Sequence, residues 1–342
     1  MTTVALDGRG AEQGSEAIVA GARAAAADGI GVRVFGDPAA LGELAAVARV
    51  ELIEAAGEIS NDEDPVGAVR ETADASIVRA AADVAEGRSE ALASAGPTGA
   101  TMTAALFALR RMHGVRRPAL AVQLVVPGRD QPPSLLLDVG ANTEVRASDL
   151  VQFAYLGAAF SRAVLGVDSP RVALLSVGEE SKKGTQDVVD AHAELSGAGE
   201  IDFRGNVEGR DLLGDVADVI VTDGFTGNVA LKTIEGTART VAAAAGAAAR
   251  SNPLAAVGGL LMKPALGGLR RQMDPDTTGG AILLGLRGVA VVGHGSSGPD
   301  GIANAIRLAA RAVEVGAVER TAELLDRSGT TRAAMRDRKE AQ

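Results

Sequence analysis

The chain has 342 residues, a formal net charge of −10, 46% hydrophobic residues, one Tyr, six Phe, no Trp and no Cys. Such acidity repels a phosphodiester backbone, and so few aromatic rings leave no stacking platform, which excludes general nucleic-acid binding. The absence of cysteine rules out disulfides, thiolate metal ligands and a cysteine acyl-enzyme, so any thioester chemistry must use another nucleophile.

The first residues, Met1–Leu6, run straight into a strand-like segment with no basic region ahead of an apolar core, and no stretch is long and apolar enough to span a bilayer. A soluble, cytoplasmic protein is expected. Along the chain, short β-branched runs at Val4–Leu6, Val32–Phe35, Ala119–Val126, Leu135–Asp138, Val172–Leu175, Val219–Val221 and Val289–Val292 alternate with Gly-rich turns and Ala-rich helical stretches. The alternation predicts an α/β fold, a mostly parallel sheet with helices on both faces. No internal repeat or linker interrupts it, so residues 1–326 read as a single domain, bilobed at most, with a charged tail over 327–342. Asn228–Arg250 reads as a long Ala-rich helix, and Leu254, Val257, Leu260, Leu261, Leu266 and Leu269 continue an apolar pattern beside Lys263, Arg270 and Arg271. A protruding helical hairpin near 228–273 is expected.

Four segments share one design, a strand entering a Gly-rich turn before a helix: Ser94–Gly99, Gly178–Gly184, Asp223–Asn228 and Gly293–Gly298. In a parallel sheet such loops gather at the carboxyl ends of the strands, where glycines admit ligand and free helix-start N–H groups hold anions. Convergence of the four would make a phosphate pocket. Only five of the 34 basic residues are lysine, and Lys182 and Lys183 sit together in the second of these loops, where one of them would suit a phosphate clamp. A solvated charged loop beside Glu179 and Glu180 is the plainer alternative. His294 lies between glycines ahead of Ser296 and Ser297, but the run Gly-His-Gly-Ser-Ser-Gly does not match a nucleophile elbow. Neither a G-x-G-x-x-G nor a Walker A pattern occurs, and the three histidines are scattered, so no cofactor and no metal site are expected.

The ordered segments Asp138-Val-Gly-Ala-Asn142, Leu150-Val-Gln-Phe-Ala154, Gly178-Glu-Glu180 with Lys183-Gly184, and Gly205-Asn-Val-Glu-Gly-Arg-Asp211 resemble the phosphate acyltransferase family. The likeness continues through Asp223-Gly-Phe-Thr-Gly-Asn228, Leu231-Lys-Thr233, Glu235-Gly236, Lys263-Pro-Ala-Leu266, Gly279-Gly-Ala281 and His294-Gly-Ser-Ser297. It implies transfer of a fatty acyl group from an acyl carrier protein thioester to inorganic phosphate, on a Rossmann-like three-layer sandwich of the isocitrate/isopropylmalate dehydrogenase type. A short-chain phosphotransacetylase acting on a coenzyme A thioester is the rival enzyme. The departures Ala11, Thr72 and Pro97 from the family pattern leave room for a paralogue that binds without catalysis.

The same resemblance assigns provisional roles. Lys183 would hold phosphate, Asn142 or Asn228 would stabilise the oxyanion, and His294 would protonate the departing thiolate. Asp7, Thr98, Gly99, Gly184, Asp223, Gly224, Thr226, Gly227, Ser296 and Ser297 would line the phosphate or substrate site. An acidic carrier protein would need a basic patch, for which Arg110, Arg111, Arg116 and Arg117 are the densest cluster. Leu260, Leu261 and Leu266 would meet a membrane surface, or the same apolar residues would pack in a homodimer.

Overall fold

The computed structural model describes residues 1–126, 131–272, 275–331, 333 and 334. In chain order the first half runs β1 (Thr3–Asp7), α1 (Gly14–Ala27), β2 (Gly31–Gly36), α2 (Pro38–Leu41), β3 (Val50–Glu54), α3 (Pro65–Glu71), α4 (Ser76–Ala85), β4 (Ala91–Ser94), α5 (Thr98–Leu109), β5 (Ala119–Leu124) and β6 (Ser134–Leu137). The second half continues with α6 (Ala147–Phe160), β7 (Arg171–Leu175), α7 (Gln186–Leu195), β8 (Asp202–Val207), β9 (Val219–Val221), α8 (Gly224–Ala249), α9 (Pro253–Gln272), α10 (Pro275–Thr278), β10 (Ala281–Leu284), β11 (Val289–Val292), α11 (Pro299–Glu314) and α12 (Ala317–Ser328).

The 11 strands form one sheet in the order β3-β2-β1-β4-β11-β10-β5-β6-β9-β7-β8. Seven neighbouring pairs are parallel, and three, β11 with β10, β10 with β5 and β5 with β6, are antiparallel. The sheet is therefore mostly parallel, as the sequence implies, but it consists of two parallel blocks pointing in opposite directions. Strands β3, β2, β1, β4 and β11 run with β5, while β6, β9, β7 and β8 run the other way. Carboxyl ends consequently fall on two opposite rims.

Strand periodicity divides the core. Successive residues of a strand point to opposite faces, so Val4, Leu6, Val32, Val34, Val289 and Val291 pack in one layer, whereas Ala5, Phe35, Leu92, Ala290 and Val292 pack in the other. The first layer is closed by α1, α6 and α11, through residues such as Ile18, Phe153 and Ile306. The second is closed by α4 and α5, through Ile77, Ala80, Ala100 and Ala104. With aromatic residues so few, small side chains let the helices lie close to the sheet. A Cβ at Gly157 of α6 would come within 2.5 Å of Val219 on β9.

The expected hairpin is present as α8 and α9, joined across residues 250–252, and no helix among the described residues is long and apolar enough to cross a membrane. Residues 335–342 of the expected tail lie outside the described residues.

Candidate functional site

A cavity of about 340 Å³ opens between the start of α5, the loop after β11, strand β5 and helix α8. Its floor is apolar, with Leu120, Val122 and Leu124 along β5, Ala281 on β10 and Val292 on β11. Its polar wall comes from Gly96, Pro97 and Thr98 on one side and His294 and Gly295 on the other, the loops that leave the adjacent parallel strands β4 and β11. Helix α8 crosses over both. At about 100° per residue, Asn228, Lys232 and Glu235 share one strip of α8 and Leu231, Ile234 and Ala238 the strip beside it. All six line the cavity.

The α5 start is built as an anion-binding helix terminus. Pro97 is extended and occupies the N-cap, so its missing N–H costs nothing there. The first intrahelical bond runs from Thr101 N to Pro97 O (2.9 Å), which leaves the amides of Thr98, Gly99 and Ala100 facing outward without helix partners. Asp7 sets the position of this turn from behind. Its buried carboxylate accepts hydrogen bonds from Ser76 Oγ, from Ser94 Oγ (2.8 Å) and from Arg9 N (3.2 Å). Ser94 Oγ in turn accepts from Gly96 N (3.0 Å) and Thr101 Oγ1 (3.1 Å). A Cβ at Gly96 would lie 3.0 Å from Asp7 Oδ2, so only glycine fits between the carboxylate and the cavity. Burial pushes the Asp7 carboxyl up to about 6, against the lowering pull of its hydrogen bonds from Ser76, Ser94 and Arg9.

The basic side chains of the site are Lys232 and His294. Lys232 Nζ donates to Glu235 Oε2 (3.0 Å) and stands 3.4 Å from His294 Nε2. His294 Nδ1 lies 2.7 Å from Ser296 Oγ and accepts from Ser296 N (3.3 Å). Nδ1 is held against the Ser296 loop, so Nε2 is the ring nitrogen turned toward Lys232. Among the described residues, the Asn228 amide has no protein hydrogen-bond partner. A thioester laid along α8 would therefore meet the Asn228 amide, the His294 ring and the Lys232 ammonium. Among the same residues, no three His, Cys, Asp or Glu side chains come together as a metal-holding group.

The structure sorts the residues expected from sequence. Thr98, Asn228 and His294 line the cavity, and Gly99 follows Thr98 in the first turn of α5. The four Gly-rich loops do not share one rim: those after β4 and β11 meet at the cavity, while those after β7 and β9 leave the oppositely directed block. Lys183 and Gly184 therefore stand apart from the cavity lining. Lys183 is exposed, its amide donating to Glu180 O (3.0 Å), and Gly184 at φ +109° closes that turn over Ser176. Asn142 is spent internally, since Nδ2 donates to Pro118 O and Asp138 Oδ2, both at 2.7 Å, leaving no proton for an oxyanion. Asp223 and Thr226 cap α8 through Thr226 N and Oγ1 (2.8 and 2.7 Å to the Asp223 carboxylate).

Gly224 and Gly227 seat that helix start on the 138–142 loop, where a Cβ at Gly227 would fall 1.9 Å from Asp138 O. Ser296 orients His294, and Ser297 is buried with its amide bonded to His294 O (2.8 Å). The arginine cluster begins at the far end of α5 from Thr98, roughly 18 Å away at 1.5 Å per residue. Arg116 pairs with buried Asp149 at 2.8 Å and Arg117 lies 3.9 Å from the same carboxylate. Leu260 and Leu261 are exposed on α9, whereas the side chain of Leu266 lies outside the described residues. Sequence reasoning gave Lys232 and Glu235 no role, although Lys232 is one of five lysines and both lie at helical spacing from Asn228.

A family model described as fatty acid synthesis protein matches residues 2–320. The phosphate acyltransferase of Elusimicrobium minutum is 43% identical over 323 residues, covering 92% of this chain and 93% of that protein. The phosphate acyltransferase of Bacillus pumilus is 42% identical over 314 residues, covering 91% and 94%. Among solved structures, a phosphotransacetylase from Streptococcus pyogenes superposes with a TM-score of 0.59 at 17% identity, over 92% of this chain and 94% of that one. A branched-chain phosphotransacylase from Enterococcus faecalis does so with a TM-score of 0.57 at 16% identity, over 92% and 99%. At such identity these structures establish the shared α/β fold and nothing finer.

Proposed function

The chain belongs to the fatty acid synthesis protein family, alongside the phosphate acyltransferases it resembles, and from that membership we propose how its cavity moves an acyl group from a thioester to inorganic phosphate. The observation that carries the reading is the convergence of the α5 amides, the Lys232 ammonium and the His294 ring on one cavity whose floor is apolar. Phosphate needs little help from a base, because it is already substantially dianionic near neutral pH. Positioning and charge stabilisation do the rest.

In this reading phosphate sits at the start of α5, on the amides near Thr98 and Gly99, with Lys232 as its counter-charge. One phosphate oxygen attacks the thioester carbonyl carbon and the carbonyl π electrons move to oxygen, where Asn228 Nδ2 donates. The oxyanion then collapses, the C–S bond breaks with its electron pair on sulfur, and acyl phosphate and thiolate leave. His294 would hydrogen-bond the departing sulfur, which takes its proton from water.

We propose an acyl carrier protein as the donor's carrier, a homodimer as the assembly and a reversible membrane contact through the hairpin. On α8, Arg239 and Arg250 continue the strip that begins at Lys232, at spacings that keep one helix face, and both are exposed. Those cations favour α8 over the Arg110–Arg117 cluster as the face for an acidic carrier. The test is to incubate the protein with phosphate and a panel of acyl carrier and acyl coenzyme A thioesters. Phosphate-dependent acyl phosphate is expected, and its absence with every donor would return the chain to the reading of a binding paralogue.

A further inference from the structure

We infer that the acyl chain lies in the slot between β5 and α8, and that Val122 and Ile234 set which chain lengths are accepted. This rests on the acyl-transfer reading above. The cavity is divided lengthwise by the helical geometry of α8. The strip bearing Asn228, Lys232 and Glu235 carries all of its polar side chains, and the strip bearing Leu231, Ile234 and Ala238 carries none.

The second strip faces the floor formed by Leu120, Val122 and Leu124, whose period of two puts all three on the same side of the sheet. Val139 and Leu213 add apolar surface to the lining. Leu120, Leu124 and Val139 are buried, yet Val122, Leu213, Leu231 and Ile234 keep partial exposure although they pack on the same core. Partly open apolar side chains on two facing elements, beside a polar reaction centre, are what an alkyl tail requires of a site. The tail would shield them from water while its thioester stayed under Asn228 and His294.

Val122 and Ile234 project from the two opposite walls and can be enlarged independently. Each methylene displaced from the slot costs about fourfold in binding, so partial filling should act on chain length and spare the chemistry. The experiment compares kcat/KM for butyryl, octanoyl and palmitoyl thioesters in the wild type, Ile234→Phe, Val122→Phe and Thr237→Phe, the last placed on the exposed opposite face of α8. Calorimetry with butyl- and hexadecylphosphonate, which cannot transfer an acyl group, runs alongside.

Both slot variants are expected to lower the palmitoyl-to-butyryl ratio about tenfold or more and to weaken hexadecylphosphonate but not butylphosphonate, with Thr237→Phe unchanged. Ratios that stay constant in both variants, or fall equally in Thr237→Phe, overturn the slot. Should the wild type transfer no acyl group, the phosphonates decide separately. Hexadecylphosphonate binding that both slot variants weaken keeps the slot while the transfer reading falls, and binding indifferent to them, or absent, removes the slot.

Discussion

Lys232 Nζ stands 3.4 Å from His294 Nε2 although 62 residues separate them in the chain. The first is carried by the helix that follows β9 and the second by the loop that follows β11, strands of oppositely directed blocks. Helix α8 runs back across the sheet from the rim on which it starts, and so delivers a cation to the other rim. The ammonium donates to Glu235, faces His294 and keeps at least one donor for phosphate.

Lys232→Ala should therefore raise the phosphate KM about ten- to a hundredfold, the worth of a charged hydrogen bond, while Lys183→Ala leaves it within about twofold, as an exposed charge does. Steady-state kinetics over phosphate concentration check both. The reverse ranking would restore the loop after β7 to the site.

His294 makes a second prediction. If the ring acts by hydrogen bonding, His294→Gln, which keeps an amide donor of similar reach, should retain far more activity than His294→Ala. The alanine variant should lose about a hundredfold in kcat, the typical cost of one donor at developing negative charge. Equal losses in the two variants would indicate proton transfer from the ring.

Much of this arrangement is legible in the sequence, and the unreadable parts have physical causes. Strands with β-branched runs, such as Val172–Leu175 and Val289–Val292, declare themselves through composition. β4 (Ala91–Ser94) and β8 (Asp202–Val207) do not, because Ala-Leu-Ala-Ser carries little strand propensity and β8 is interrupted by Gly205. Strand direction is not written locally at all. The inversion between blocks lies at the antiparallel pairing of β5 with β6, and the join of the first block to β5 depends on the long-range pairing of β10 with β5. For that reason loops of identical design, Ser94–Gly99 and Gly178–Gly184, end on different rims. The Asn142 motif marks a tight loop, and its amide holds that loop together.

Asp7 gives a prediction with a definite sign. Its folded pKa of about 6 exceeds the ordinary aspartate value of 3.8, so between those values the folded state holds more proton than the unfolded state. Stability from this group therefore rises as pH falls through about 6 and levels off below about 4, opposite to a salt-bridged carboxylate. Asp7→Asn cannot titrate, so relative to that variant the wild type should gain about 1 kcal/mol between pH 7.5 and pH 5. Urea midpoints at the two values measure it. A constant gap would mean that Asp7 ionises at the same pH folded and unfolded.

The carrier prediction follows from the exposed cations that continue the Lys232 face of α8. Association with an acidic carrier protein should slow when Arg239 and Arg250 are both changed to Glu, and its dependence on salt should flatten. Arg110→Glu with Arg111→Glu, roughly 18 Å along α5 from the phosphate end, should leave association unchanged. Stopped-flow binding across a salt series separates them, and sensitivity confined to the α5 pair would move the docking face to the other rim.

The hairpin carries the last prediction. Leu254, Leu260 and Leu261 are 82%, 69% and 77% exposed, and Val257 and Met262 on the same helix are also open to solvent. An apolar face of that kind signals a partner, either lipid or another copy of the chain. Alanine and glycine between the leucines let α8 and α9 pack closely, Gly259 against Ala249, where a Cβ would come within 2.7 Å. The apolar side chains are thereby left on the outside of the pair. Burial returns about 25 cal/mol per Å², and a few leucines therefore hold a protein at a membrane reversibly. Flotation with anionic liposomes should carry the wild type upward and leave Leu260→Glu and Leu261→Glu behind, each variant first shown by light scattering to keep the wild-type mass. Loss of mass in the variants, with no flotation of the wild type, would assign the face to protein contact instead.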